Sequence, residues 1–187
     1  MNKMKTYLAG LLLMIGLFGI VFSSRSQDAK PDKQAKKEAK KAQMAANFHV
    51  LDSLLSFRNF VLEADFLQDK YGSRISVSSN LNFVRVDGPK SVLQTGSDMR
   101  MGSNGVGGVT AEGTIGNYKI SRNTKNMTIS VTFNVLTQIG AFDIFLTVTS
   151  DNNATATISG TTSGRLTWDG HISTLDNSRV FKGQNTI

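Results

Sequence analysis

The sequence predicts a mainly β protein: antiparallel sheets packed as a sandwich or closed as a small barrel, roughly eight strands in all, preceded by an N-terminal α-helix. Three observations carry this. Residues 28–57 hold an apolar stripe at helical spacing. From Asn59 onwards the period changes from about 3.6 to 2. Short β-rich runs are then separated by glycine, asparagine, serine and threonine, the residues of turns.

The chain opens with Lys3 and Lys5, an apolar run from Tyr7 to Phe22, and then Ser24-Arg25-Ser26. A basic start, an apolar stretch and small residues in that order are the pattern of a cleavable export signal over residues 1–26, with the cut before Gln27. The run from Tyr7 to Phe22 would reach only about 24 Å as a helix, short of the roughly 30 Å hydrocarbon core, so no membrane span is expected in the mature chain.

Asp28 to Phe57 reads as helix, with Pro31 suited to a first turn and Ala, Lys, Gln and Glu dominating the next turns. Its halves differ. Residues 27–43 make a lysine-rich exposed helix or linker, whereas Met44, Phe48, Leu51 and Leu55 form a stripe that requires cover. Residues 44–175 are read as a single helix-plus-β domain.

Within that domain Ile129, Val131, Phe133 and Val135 alternate with polar residues, and Phe142, Ile144, Leu146 and Val148 repeat the pattern. Ala154, Ala156 and Ile158 follow the turn signal Asp151-Asn152-Asn153, which completes an antiparallel meander. Earlier strands are expected at Phe60 to Leu67, Arg74 to Val86, Ser91 to Thr95, Val109 to Ile115 and Tyr118 to Arg122. A parity change predicts a bulge or break near Ser78 to Asn80, and Asp87-Gly88-Pro89-Lys90 predicts a hairpin. The last strand, Arg165 to Ile172, carries the one tryptophan. Residues 176–187 form a polar tail with the composition of a disordered end.

Charge and composition exclude several classes. The chain has 21 Lys plus Arg against 14 Asp plus Glu, a net +7, and loss of Lys3, Lys5 and Arg25 with the signal would leave +4. Most of that excess lies between Asp28 and Lys41, so the body has no basic face with interleaved aromatics of the kind nucleic acid requires. The chain has no cysteine, which removes disulfides, thiolate metal ligands, thiol nucleophiles and a lipid anchor through cysteine.

Few residues offer chemistry. Gly102, Gly105, Gly107 and Gly108 form a dense cluster after Met99, Arg100 and Met101, but a strand follows and no Lys-hydroxyl pair does, so a flexible loop is expected instead of a phosphate cradle. That loop, from Met99 to Gly108, is the expected interaction surface, since loops on rigid scaffolds carry function. A serine nucleophile needs a base, and only His49 and His171 are available. Glu63 and Asp65 would place two carboxylates on one strand face, a spacing that the wet face of an edge strand explains equally well. Trp168 is expected to plug the core with its N–H reaching solvent. No metal site, cofactor or catalytic set is expected: Asp151-Asn152-Asn153 lacks the alternate spacing of a calcium loop, and two distant histidines cannot close a zinc site.

A helix leading into Asn59-Phe60-Val61 is followed by Val86-Asp87-Gly88, a glycine-rich stretch, Tyr118-Lys119-Ile120 and Trp168-Asp169-Gly170-His171-Ile172. This order of features, over about residues 33–172, resembles that of the secreted bacterial domain-of-unknown-function family numbered 4251. It implies a β-rich body behind an export signal and implies no activity. This chain departs from the pattern in lacking a lipid-bearing cysteine and in holding Met99-Arg100-Met101 where many members have aromatics.

The functional expectation is therefore a non-enzymatic binding or interaction module of the periplasm or cell surface, whose partner is a protein or a small apolar ligand of the cell envelope. The alternatives are an envelope structural or assembly factor that uses the lysine-rich helix, and a hydrolase that uses His171 with Asp169.

Overall fold

The computed structural model describes residues 33–97, 104–160 and 164–186. The chain divides into two units, Met1–Lys36 and Lys37–Ile187; of the first, only residues 33–36, the opening turn of a helix, are among those described. The core and the site belong to the second.

One helix, α1 (Lys33–Ser56), precedes nine strands: β1 (Asn59–Gln68), β2 (Arg74–Ser76), β3 (Phe83–Asp87), β4 (Lys90–Gln94), β5 (Thr110–Asn123), β6 (Thr128–Thr137), β7 (Gly140–Thr149), β8 (Asn153–Gly160) and β9 (Arg165–Ser173). Every pairing is antiparallel, and β9 pairs back onto β1 through Leu62↔Ile172 and neighbouring partners. Eight strands thereby close into a barrel, with β2 as a short addition beside the far end of β1. The choice between sandwich and barrel is settled in favour of the barrel.

The period-2 pattern explains the core. Ile129, Val131, Phe133 and Val135 of β6 and Ile144, Leu146 and Val148 of β7 all point into the barrel, where they meet Phe60 and Leu62 of β1 and Val84 and Val86 of β3. Phe48, Leu51 and Leu55 of α1 join this same core, so the helical stripe caps one end of the barrel; Met44 is only half-buried. The cap is fastened where Tyr118 Oη donates to the Leu55 carbonyl at 2.7 Å and Arg122 pairs with Asp52 at 2.6 Å. Burial pushes the Tyr118 phenol far above its ordinary value, so it stays a donor at all working pH. Residues 33–43 of the helix are exposed.

Closure requires close approach at Gly170. Its neighbours across the sheet are Ala64 on β1 and Ala154 on β8, a row of small residues, and a Cβ at Gly170 would lie 1.8 Å from the Glu63 carbonyl oxygen. The register of β1 shifts between Ala64 and Phe66 beside this point.

Three expectations are corrected. The run from Arg74 to Val86 is two strands, β2 and β3, separated by the expected break. Val109 to Ile115 and Tyr118 to Arg122 are one strand, β5, which continues through an irregularity between Gly116 and Lys119. The polar tail is not loose. Its backbone is tied at Phe181 N to Asn80 O, Gln184 N to Asn104 O and Thr186 N to Thr110 O, each at 2.8 to 2.9 Å. Leu175 and Val180 cover a second small cluster, Val61, Phe83 and Val92, on the outer face of the barrel. The tail is thus a strap: polar side chains gave it a disordered look, but its backbone and Val180 hold it down, with Leu175 anchoring the chain just before it.

Candidate functional site

The second feature of the barrel lies at the end opposite α1. Leu93 of β4, Ala111 of β5, Phe142 of β7, Ile158 of β8, and Leu166 and Trp168 of β9 line a cavity of about 350 Å³ there, with Thr95, Val109, Ile139, Gly160 and Gly164 at the rim. This volume falls in the range of roughly 300–1,000 Å³ typical of small-molecule sites. Its walls are inward-facing strand residues, continuous with the core. The described lining residues are apolar or uncharged; none carries an ionisable side chain.

Two buried polar side chains shape the rim. Gln94 lies 1 % exposed and makes four hydrogen bonds: Nε2 donates to Leu81 O (3.1 Å) and Phe181 O (2.8 Å), while Oε1 accepts from Thr110 Oγ1 (2.9 Å) and Gly183 N (2.8 Å). Asn104 is fully buried; its Nδ2 donates to Thr95 O and Thr110 Oγ1, and its Oδ1 accepts from Val106 N and Gly108 N. The strap and the glycine-containing loop therefore meet the rim in one hydrogen-bonded network. Trp168 is buried, and its Nε1–H has no hydrogen-bond partner among the described residues, contrary to the expected solvent-reaching N–H.

Of the loop expected to be the interaction surface, Met99, Arg100, Met101 and Gly102 lie outside the described residues. Gly105 and Gly107 adopt positive φ angles of 75° and 76° in a turn built around Asn104, and a Cβ at Gly108 would lie 2.2 Å from the Thr95 carbonyl oxygen. In the described part of the loop, the glycines serve a tight turn beside the cavity.

The titratable candidates meet on the outer face of β1 and β9. His171 Nε2 lies 3.8 Å from Glu63 and its Nδ1 3.5 Å from Asp65. Asp169 instead pairs with Arg74 at 3.1 Å and accepts from Thr155 Oγ1 at 2.8 Å. The dyad of Asp169 and His171 required by the hydrolase reading is therefore not formed; each residue is engaged by another partner. His49 stands edge-on to Phe48 on α1 and is exposed. Among the described residues, no group of three or more His, Cys, Asp or Glu side chains is placed to hold a metal ion, and no helix is long and apolar enough to cross a membrane.

A further groove, about 220 Å³, lies between the strap and the outer face of β3–β5. Its charges are largely matched internally: Arg85 with Asp87 at 3.1 Å, and Lys182 with Glu112. Glu112 also accepts from Asn185, and the hydrogen bonds from Lys182 and Asn185 hold its carboxyl below the ordinary 4.5.

Sequence reasoning missed Gln94, Asn104 and the strap. A buried Gln or Asn reads like any exposed one when no periodic slot marks it, and the only available signal was Gln94 at the end of a strand read from Ser91 to Thr95.

Comparison with known proteins agrees with this architecture. The model of the domain of unknown function DUF4251 matches residues 39–172. The chain is similar to the crystal structure of a DUF4251 family protein from Bacteroides eggerthii DSM 20697, with 33 % identity and a TM-score of 0.62 over 74 % of this chain and 96 % of that one. No match was found among curated proteins.

Proposed function

Since the chain belongs to the DUF4251 family, whose shared domain has no assigned activity, function must be read from the site, and we propose a non-enzymatic binding module that takes a small apolar ligand into the cavity at the barrel end away from α1. The observation that carries this is the cavity of about 350 Å³ walled by Leu93, Ala111, Phe142, Ile158, Leu166 and Trp168. Burial of apolar ligand surface there contributes about 0.8 kcal/mol per methylene. With no ionisable side chain in the described lining, the site favours recognition by shape and desolvation over proton transfer. The reading keeps the expectation of export to the periplasm or cell surface, which rests on the basic, apolar and small-residue order of residues 1–26.

The single tryptophan supplies the assay, because Trp168 forms part of the wall. Titration with the neutral apolar fluorophore N-phenyl-1-naphthylamine should quench Trp168 emission by energy transfer and saturate at one site. Ala111→Leu, which fills the space from β5, should weaken that binding at least tenfold while leaving far-ultraviolet circular dichroism unchanged. Equal affinity of the folded Ala111→Leu variant for the fluorophore would remove the cavity from consideration.

A further inference from the structure

The exposed first half of α1 has an ordered charge distribution. Lys33, Lys36, Lys37, Lys40 and Lys41 are spaced by three, one, three and one residues. At about 100° per residue, this spacing keeps all five within an arc of about 140° and along about 12 Å of one helix. Ala35, Ala39, Ala42 and Ala46, spaced by four, three and four, occupy the opposite side. All nine of these residues are exposed, and none of the five lysines forms an ion pair among the described residues. Glu38 is the only acidic residue between Lys33 and Lys41, and it falls outside the lysine arc.

A solvated charge run needs no such sidedness. Lysines scattered around the helix would give the same solubility with less mutual repulsion, since like charges three and four residues apart destabilise a helix. The repulsion is tolerated along one line of ammonium groups, which matches a flat anionic surface. We infer that this lysine face of α1 docks on the anionic headgroups of a lipid bilayer.

A bilayer fits better than a nucleic acid. The stretch from Lys33 to Lys41 contains no arginine and no aromatic residue, so it lacks both the guanidinium fork that makes the commonest bidentate contact to guanine and the rings that stack on bases. Ammonium groups as point charges suffice for phosphodiester headgroups, and a cluster of four to eight of them is the usual size of a lipid-directed patch. The cavity plays no part in this inference, and each can fail without the other.

The test compares flotation of the full chain with vesicles of phosphatidylcholine alone and of phosphatidylcholine doped with phosphatidylglycerol. Any insertion of the apolar run is common to both vesicles, so the ratio of the two partition constants isolates the charge contribution. Replacing Lys36, Lys37 and Lys40 with Gln should lower that ratio roughly fivefold per lysine, near a hundredfold in all. Gln has nearly the helix propensity of Lys, so the fold is retained. A second variant keeps the net charge but breaks the stripe: Lys36→Ala with Ala35→Lys, and Lys40→Ala with Ala39→Lys. It should also lose most of the preference for anionic vesicles. Full preference in this rearranged variant would overturn the docking face, and an unchanged ratio in the triple Gln variant would overturn the lysine contact altogether. Tighter binding to a DNA duplex than to the doped vesicles, at the same ionic strength, would overturn the lipid assignment.

Discussion

Gln94→Ala tests whether the strap is part of the folded unit or merely lies against it. The substitution removes a side chain with four hydrogen bonds, two to the strap at Phe181 and Gly183 and two to the barrel at Leu81 and Thr110. Phe181 O and Gly183 N can find water once the strap lifts, whereas Leu81 and Thr110 remain buried. At about 1–3 kcal/mol for each buried group left unpaired, with some relief at the strap, the expected loss is about 3 kcal/mol. Urea unfolding gives the total, and native-state hydrogen exchange locates it: the amides of Phe181, Gly183, Gln184 and Thr186 should lose protection while those of β6 and β7 keep theirs until global unfolding. Removal of residues 181–187 provides a cycle. In the shortened chain Gln94→Ala should cost about 2 kcal/mol less, because the two strap bonds, about 1 kcal/mol each, are already gone. A loss under about 1 kcal/mol with strap amides still protected would refute the view that Gln94 fastens the strap.

Two other predictions concern closure and pH. Gly170→Ala drives a methyl group into the Glu63 carbonyl at the β1–β9 seam, so it should cost about 3 kcal/mol or more and lower the melting temperature by about 10 °C; a shift under about 3 °C would show that the seam yields. The Glu112 carboxyl, held below 4.5 by Lys182 and Asn185, contributes stability that is complete above 4.5 and is lost as pH falls through its lowered native value. Amide chemical shifts of Gln184 and Asn185 should therefore follow an acid transition that Glu112→Gln abolishes, and persistence of the same transition in that variant would assign it to another group.

What the sequence discloses depends on whether a contact leaves a period. The meander of β6, β7 and β8 was legible because each of its strands buries one face, and the alternation of Ile129, Val131, Phe133 and Val135 records that directly. The α1 stripe was legible for the same reason. Closure was not, since Leu62 and Ile172 would point inward in a sandwich as well as in a barrel. Gly116-Asn117 has the composition of a turn, and Asn117 does adopt a positive φ of 50°, yet pairing with β6 resumes at Lys119, so the two runs are one strand. Within the site, the apolar lining was visible residue by residue, yet nothing in the sequence distinguishes a side chain that fills a core from one that borders a space. The partners of His171, Glu63 and Asp65, were not legible because they lie far earlier in the chain and are brought over by the seam.

The seam also sets a schedule for assembly. Strands β4 to β9 each pair with the preceding strand in the chain, and β3 pairs with β1 across the short β2, so most of the sheet can form from nearby contacts as soon as its residues are available. The β1–β9 pairing joins the first strand to the last and must wait for both, at the cost of closing a loop that spans nearly the whole domain. Until then β9 presents a free edge able to recruit a strand from another molecule. The interval before closure is therefore when the chain is most exposed to aggregation, and conditions that delay the seam should lower the yield of refolding more than they lower the stability of the finished barrel.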